Sequence, residues 1–86
     1  MSAKTIYAQE LETLKPHDPV QFSSMTKYGL EFITTAGHGY MVVPQEHEYY
    51  PQALRLCEYG FSGDIAVYLE EDCEVPKFLS EVGLTG

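Results

Sequence analysis

Val20 to Pro44, VQFSSMTKYGLEFITTAGHGYMVVP, is the stretch that decides the fold. Val20, Phe22 and Ser24 alternate with Gln21, Ser23 and Met25, and further on Leu30, Phe32 and Thr34 alternate with Glu31 and Ile33. A period of two belongs to strands, whose successive side chains point to opposite faces of a sheet. Tyr28-Gly29 supplies a first turn and Ala36-Gly37-His38-Gly39 a second, residue types that tight hairpin connections favour. Tyr40-Met41-Val42-Val43 makes a third strand, which Pro44 stops. The stretch predicts a three-stranded antiparallel meander.

Working outward, Tyr7, Leu11 and Leu14 recur at i, i+4 and i+7 between Thr5 and Lys15, a narrow apolar stripe suited to a helix that Pro16 ends. On the other side, a polar loop holding His47 leads to Pro51, which suits the first position of a helix with Ala53, Leu54 and Cys57 on one face and Gly60 as its C-terminal cap. After the turn Ser62-Gly63-Asp64, Ile65, Val67 and Leu69 alternate with Ala66 and Tyr68 in a further strand. Pro76 opens a last helix, with Val75, Phe78, Leu79 and Val82 on one face and Gly83 closing it. The fold class expected is α+β: a small antiparallel sheet, the meander plus a further strand, with two or three short helices packed on one face. At 86 residues the chain reads as a single domain over 1–86, with 1–4 and 84–86 as flexible ends.

Thirteen acids against five bases leave a net charge of −8, which repels nucleic-acid phosphates and leaves too few cations to line a backbone groove. Direct nucleic-acid binding is therefore not expected. The same charge attracts a basic surface on another protein, although acidity also serves solubility alone. Met1 to Thr5 lack the apolar core of a signal peptide, and no apolar run approaches the roughly 18 residues that span a bilayer. No membrane association and a cytoplasmic location follow as expectations. Cys57 and Cys73 form no CxxC pair and read as free thiols, and nothing calls for a cofactor.

The densest cluster of charge is Glu70-Glu71-Asp72-Cys73-Glu74, between the last strand and the last helix. Calcium loops alternate ligands with spacers and place a glycine at the sharp turn, and this run does neither. Asp72 and Glu74 instead stand where negative charge favours the exposed N–H groups of a helix start, leaving Glu70 and Glu71 for a partner's lysines or arginines. Gly37-His38-Gly39 exposes an imidazole on a sharp turn, and the neighbouring Tyr40 belongs to the same motif. Tyr49 and Tyr50 could add an aromatic surface patch or fill the rim of a small core. The binding residues expected are thus Glu70, Glu71, Asp72, Glu74, His38, Tyr40, Tyr49 and Tyr50, with no catalytic or metal set. The alternative is a small metal-dependent or thiol enzyme centred on His38 and Cys73, which requires the fold to bring them together.

Gly37-His38-Gly39-Tyr40-Met41-Val42-Val43-Pro44 followed by Val67-Tyr68-Leu69-Glu70-Glu71-Asp72-Cys73-Glu74 resembles small uncharacterised proteins carried by bacteria, their phages and plasmids. The resemblance spans roughly residues 27 to 80 and implies an accessory product of a mobile element. It supplies no catalytic residues. What it implies is a protein that occupies a basic surface of a host protein, with mimicry of nucleic-acid phosphates as one form of that role. The reading leans away from an enzyme and towards a small acidic protein-binding module. A homodimer is a further expectation, because the edge strands of a small sheet need a cover.

Overall fold

Thr5 starts the first helix by accepting the Ala8 N–H on its hydroxyl at 3.1 Å. From there the computed structural model, which describes residues 4–84, runs through eight elements. These are α1 (Ile6–Leu14), β1 (Val20–Met25), β2 (Glu31–Thr35), β3 (Gly39–Pro44), α2 (Tyr50–Leu56), β4 (Phe61–Ser62), β5 (Ala66–Glu70) and α3 (Val75–Glu81). The strands form one antiparallel sheet in the order β1-β2-β3-β5-β4. The class is α+β, with the expected meander and β5 as the strand added to it. β4 is an addition that the sequence does not announce, since two residues cannot display a period of two.

The helices lie on both faces of the sheet, which corrects the expectation of one. Met41, Val43, Val67 and Leu69 pack with Ala53 of α2 and with Val75 and Phe78 of α3. Their neighbours Tyr40, Val42, Ala66 and Tyr68, joined by Ile33, pack with Ala8 and Leu11 of α1. The reason is in the central strands: Tyr40 to Val43 and Ala66 to Leu69 are uninterrupted apolar runs, buried at every position. Such a run needs cover on both sides, where a half-solvated strand needs it on one.

Gly60 is also reassigned. α2 stops at Leu56, with Cys57 in extended conformation at its C-cap, so Gly60 lies three residues beyond and does not cap it. Gly83, at φ +75°, does terminate α3, and Leu84 N–H closes the turn on Leu79 O at 2.8 Å. Of the ends expected to be flexible, 1–3 and 85–86 lie outside the described residues. Lys4 pairs with Glu12 at 2.7 Å. Among the described residues no helix is long and apolar enough to cross a membrane.

Candidate functional site at the acidic end of the sheet

β3 and β5 run antiparallel with Tyr40 opposite Glu70 and Pro44 opposite Ala66, and Glu71 N–H donates to Gly39 O at 2.9 Å. The glycine–histidine turn and the acidic run are therefore neighbours at one end of the sheet. Glu46 and Glu48, which follow Pro44, lie at the other end. These two acidic groups therefore stand apart, with the remaining acids spread over other elements.

Within the run, the four carboxylates have different tasks. Glu74 is only 2% exposed. Its carboxylate accepts the backbone N–H groups of Glu58, Tyr59, Gly60 and Glu70, the last two at 3.0 Å. A negative charge surrounded by backbone donors is the arrangement expected of a bound anion, supplied here by the chain itself. Gly60 is required by it, because a Cβ there would fall on the Tyr68 carbonyl oxygen and crowd Glu74 Oε1. Glu74 stands at the N-cap of α3 yet makes no capping bond with its side chain, contrary to the expected helix-start role. Glu70 is half-buried and folds back on its own turn, accepting the Asp72 and Cys73 N–H groups. Glu71 and Asp72 remain exposed.

Through Glu74, the segment 58–60 is bonded to the turn 70–74. Tyr59, 64% exposed, thus stands beside the exposed Glu58 at the end that carries Glu71, Asp72 and His38. Neither Glu58 nor Tyr59 belongs to the expected site, and only the Glu74 bonds bring them there. Tyr40 points inward at 2% exposure. Tyr49 and Tyr50 are half-buried against the α2–α3 side of the core, with the Tyr49 ring edge-on to Phe78 at 6.4 Å. Of the eight expected residues, Glu71, Asp72 and His38 are exposed, on two turns that the Glu71 N–H to Gly39 O bond joins.

Tyr40 instead joins an internal polar group on the α1 side. Lys15 Nζ donates to Tyr40 Oη at 2.6 Å and to Asp18 Oδ2 at 2.9 Å, and lies 5.0 and 5.6 Å from the Tyr40 and Phe61 ring centres. Asp18 Oδ2 also accepts the Thr35 hydroxyl at 2.7 Å, while that hydroxyl oxygen accepts the His38 N–H at 3.1 Å. The Lys15 ammonium and then the Thr35 hydroxyl hold the Asp18 carboxyl down to about 2. Burial pulls Lys15 downward, but its bonds to Tyr40 and Asp18 outweigh that and leave it above its ordinary value. The members satisfy one another, so the group fastens the 36–38 turn to α1 and leaves His38 exposed at its tip.

The thiols are poorly placed for nucleophilic work. Partial desolvation, followed by the charges of Glu70, Asp72 and Glu74, pushes the Cys73 thiol up. Burial, followed by Glu74, pushes Cys57 up to about 11. A thiolate nucleophile needs a cationic setting, which is the reverse of this one. Among the described residues no three histidine, cysteine or carboxylate side chains gather in a metal-holding group. No family model, no curated protein and no solved structure matches the chain.

Proposed function

We propose that this chain is a small acidic protein-binding module that works in the cytoplasm by seating the 58–59 and 71–72 end of its sheet on a basic surface of another protein. The observation that carries the reading is the Glu74 carboxylate, which ties the segment of the exposed Glu58 and Tyr59 to the turn that carries the exposed Glu71 and Asp72. Tyrosine is enriched at the centre of protein contacts, and flanking charge steers encounter and sets orientation. A rigid display also reduces the ordering cost of association. The separation of the two acidic groups favours a local contact over mimicry of an extended nucleic-acid strand.

Affinity capture from a bacterial lysate at low salt, with wild type and the variant Tyr59→Ala, Glu58→Gln, Glu71→Gln, Asp72→Asn as baits, tests the reading. The expected result is a basic partner retained by wild type, released by salt and lost from the variant. An empty capture, or one that the four changes leave intact, refutes it.

A further inference from the structure

β1 is an outer strand of six residues, and Thr26 N–H donates to Leu30 O at 3.0 Å across the turn that joins it to β2. Antiparallel ladders alternate bonded and non-bonded pairs. Counting back from Thr26, Ser24 faces Phe32 as a bonded pair, whereas Ser23 and Met25, opposite Ile33 and Glu31, turn their N–H and C=O groups away from the sheet. Among the described residues nothing bonds those outward groups. Only the start of the strand is covered, where Val20 N–H reaches Glu12 Oε2 at 3.4 Å.

An open edge normally carries a guard: a lysine, a proline, an inward charge, a covering loop or a very short length. Val20-Gln21-Phe22-Ser23-Ser24-Met25 carries no charge and no proline, and its bulge, a further kind of guard, lies at the start of the strand between Val20 and Phe22, leaving Phe22 to Met25 in regular register. It also leaves Phe22 59% and Met25 66% exposed, on opposite faces of the sheet. An unpaired row of backbone groups calls for a strand. The charge of the chain says which strand. In a molecule of net −8 two copies repel least where carboxylates are sparse, and β1 carries none of its own, with Glu12 near its first residue and Glu31 opposite its last.

We infer that two copies of this chain join through their β1 strands, antiparallel across a two-fold axis at Ser24, into one continuous sheet. In that register Ser23 of each copy exchanges backbone bonds with Met25 of the other, so both outward pairs are satisfied. Phe22 stands opposite Thr26, where the strand gives way to the turn, and no acid faces an acid between Phe22 and Thr26. The acidic end is left free in both copies, so the pairing stands independently of the contact proposed above.

Sedimentation equilibrium over about two decades of concentration reads the mass, 9.7 kDa for one chain. Wild type should move to twice that mass. Ser24→Lys sets two ammonium groups against each other on the axis and should weaken the dimer at least about tenfold. Met25→Pro removes an outward donor while sparing the β1–β2 ladder and should do the same. Circular dichroism checks that each variant is folded, and Ser24→Lys, at an exposed position, decides if the proline change unfolds the chain. A wild-type mass of one chain throughout, or a dimer that folded Ser24→Lys leaves as tight as before, overturns the proposal.

Discussion

At one edge of the sheet β4 is two residues long and is held by two carboxylates, one from each face; at the other edge β1 runs for six residues with a single long carboxylate bond, from Glu12 to its first residue. Glu74, preceding α3, takes the backbone donors of 58–60 just before β4. Glu10, on α1, takes the donors just after it: Asp64 N–H at 2.6 Å and Ile65 N–H at 3.2 Å, together with the Tyr68 hydroxyl at 2.7 Å. Each carboxylate lies against a glycine, Gly60 or Gly63, where a Cβ would collide with the bonded group. So short a strand has little ladder of its own, and its place depends on charge-assisted bonds from outside the sheet. The contrast teaches that part of the acidity in this chain is internal. Glu10 and Glu74 act as fixed anions for the backbone, and the negative surface is smaller than the net charge suggests.

The largest effect should come from releasing the better-buried anion. Glu74→Ala leaves four backbone donors without their acceptor and should cost about 3 to 5 kcal/mol, a large part of the stability of a small domain. Glu74→Gln keeps an acceptor but turns an amide donor towards other donors, and should cost roughly half as much. Urea unfolding measures both. Freeing 58–60 also exposes Cys57, whose thiol is held up first by burial and then by the Glu74 charge, so alkylation of Cys57 should quicken in Glu74→Gln. An unchanged urea midpoint with unchanged Cys57 reactivity would show that the closed edge does not depend on this residue.

Glu10 should matter less, since it is only half-buried, with about 1 to 2 kcal/mol lost in Glu10→Gln. The glycine beside it permits a sharper test. A Cβ at Gly63 meets only the end of the Glu10 side chain, which can swing away and forfeit its bonds. Gly63→Ala and Glu10→Gln should therefore remove the same interaction, and the double variant should cost little more than either alone. Fully additive costs would mean that the carboxylate and the turn are independent.

The meander, the strand β5 and the three helices follow from alternation, turn residues and proline positions, because each of those signals is local. The two-sided cover was also readable in principle. Tyr40-Met41-Val42-Val43 and Ala66-Val67-Tyr68-Leu69 are continuous apolar runs, and an alternation-based reading of Ile65 to Leu69 passes over that fact. The site was less accessible. Glu70, Glu71, Asp72 and Glu74 are chemically alike in sequence, and their separation into a buried anion, a turn acceptor and two exposed charges depends on donors at 58–60 that come close only after folding. Lys15, Asp18 and Tyr40 meet for the same reason across two elements and a loop. Gly60 and Gly63 are the remaining local hints, although the cap and the turn that the sequence suggests for them conceal the close approach of a carboxylate to each.

The open side of the molecule has one strong polar anchor near the entry to β1, and acid should loosen it. Asp18 is held down to about 2 by the Lys15 ammonium and then by the Thr35 hydroxyl, and Thr35 is paired with Val20. A carboxyl lowered in the folded state binds its proton more readily when unfolded, so its contribution is complete above the ordinary value near 4 and disappears as pH falls towards 2. Wild type should lose unfolding stability across that window. Asp18→Asn should show a shallower loss there, with a lower starting stability at neutral pH. Equal acid slopes for the two proteins would mean that other carboxyls govern the acid limb.

The smallest effect belongs to β1, and its smallness is what separates the edges. Ser24 is exposed, takes part in no side-chain bond among the described residues and lies in a strand whose partner ladder is backbone. Ser24→Lys should therefore change the unfolding free energy of the single chain by no more than about 0.5 kcal/mol, measured at a concentration low enough to keep the chains apart. Gly60→Ala, the corresponding one-residue change beside β4, forces the backbone off the Tyr68 carbonyl and should cost about 2 to 3 kcal/mol under the same conditions. A closed edge punishes any added atom because its strand is fixed by contacts on every side, whereas an open edge tolerates the addition in the single chain and registers it only when a second strand must fit. If both substitutions cost the same at low concentration, the edges do not differ in this way, and the outward groups of Ser23 and Met25 are already engaged within one chain.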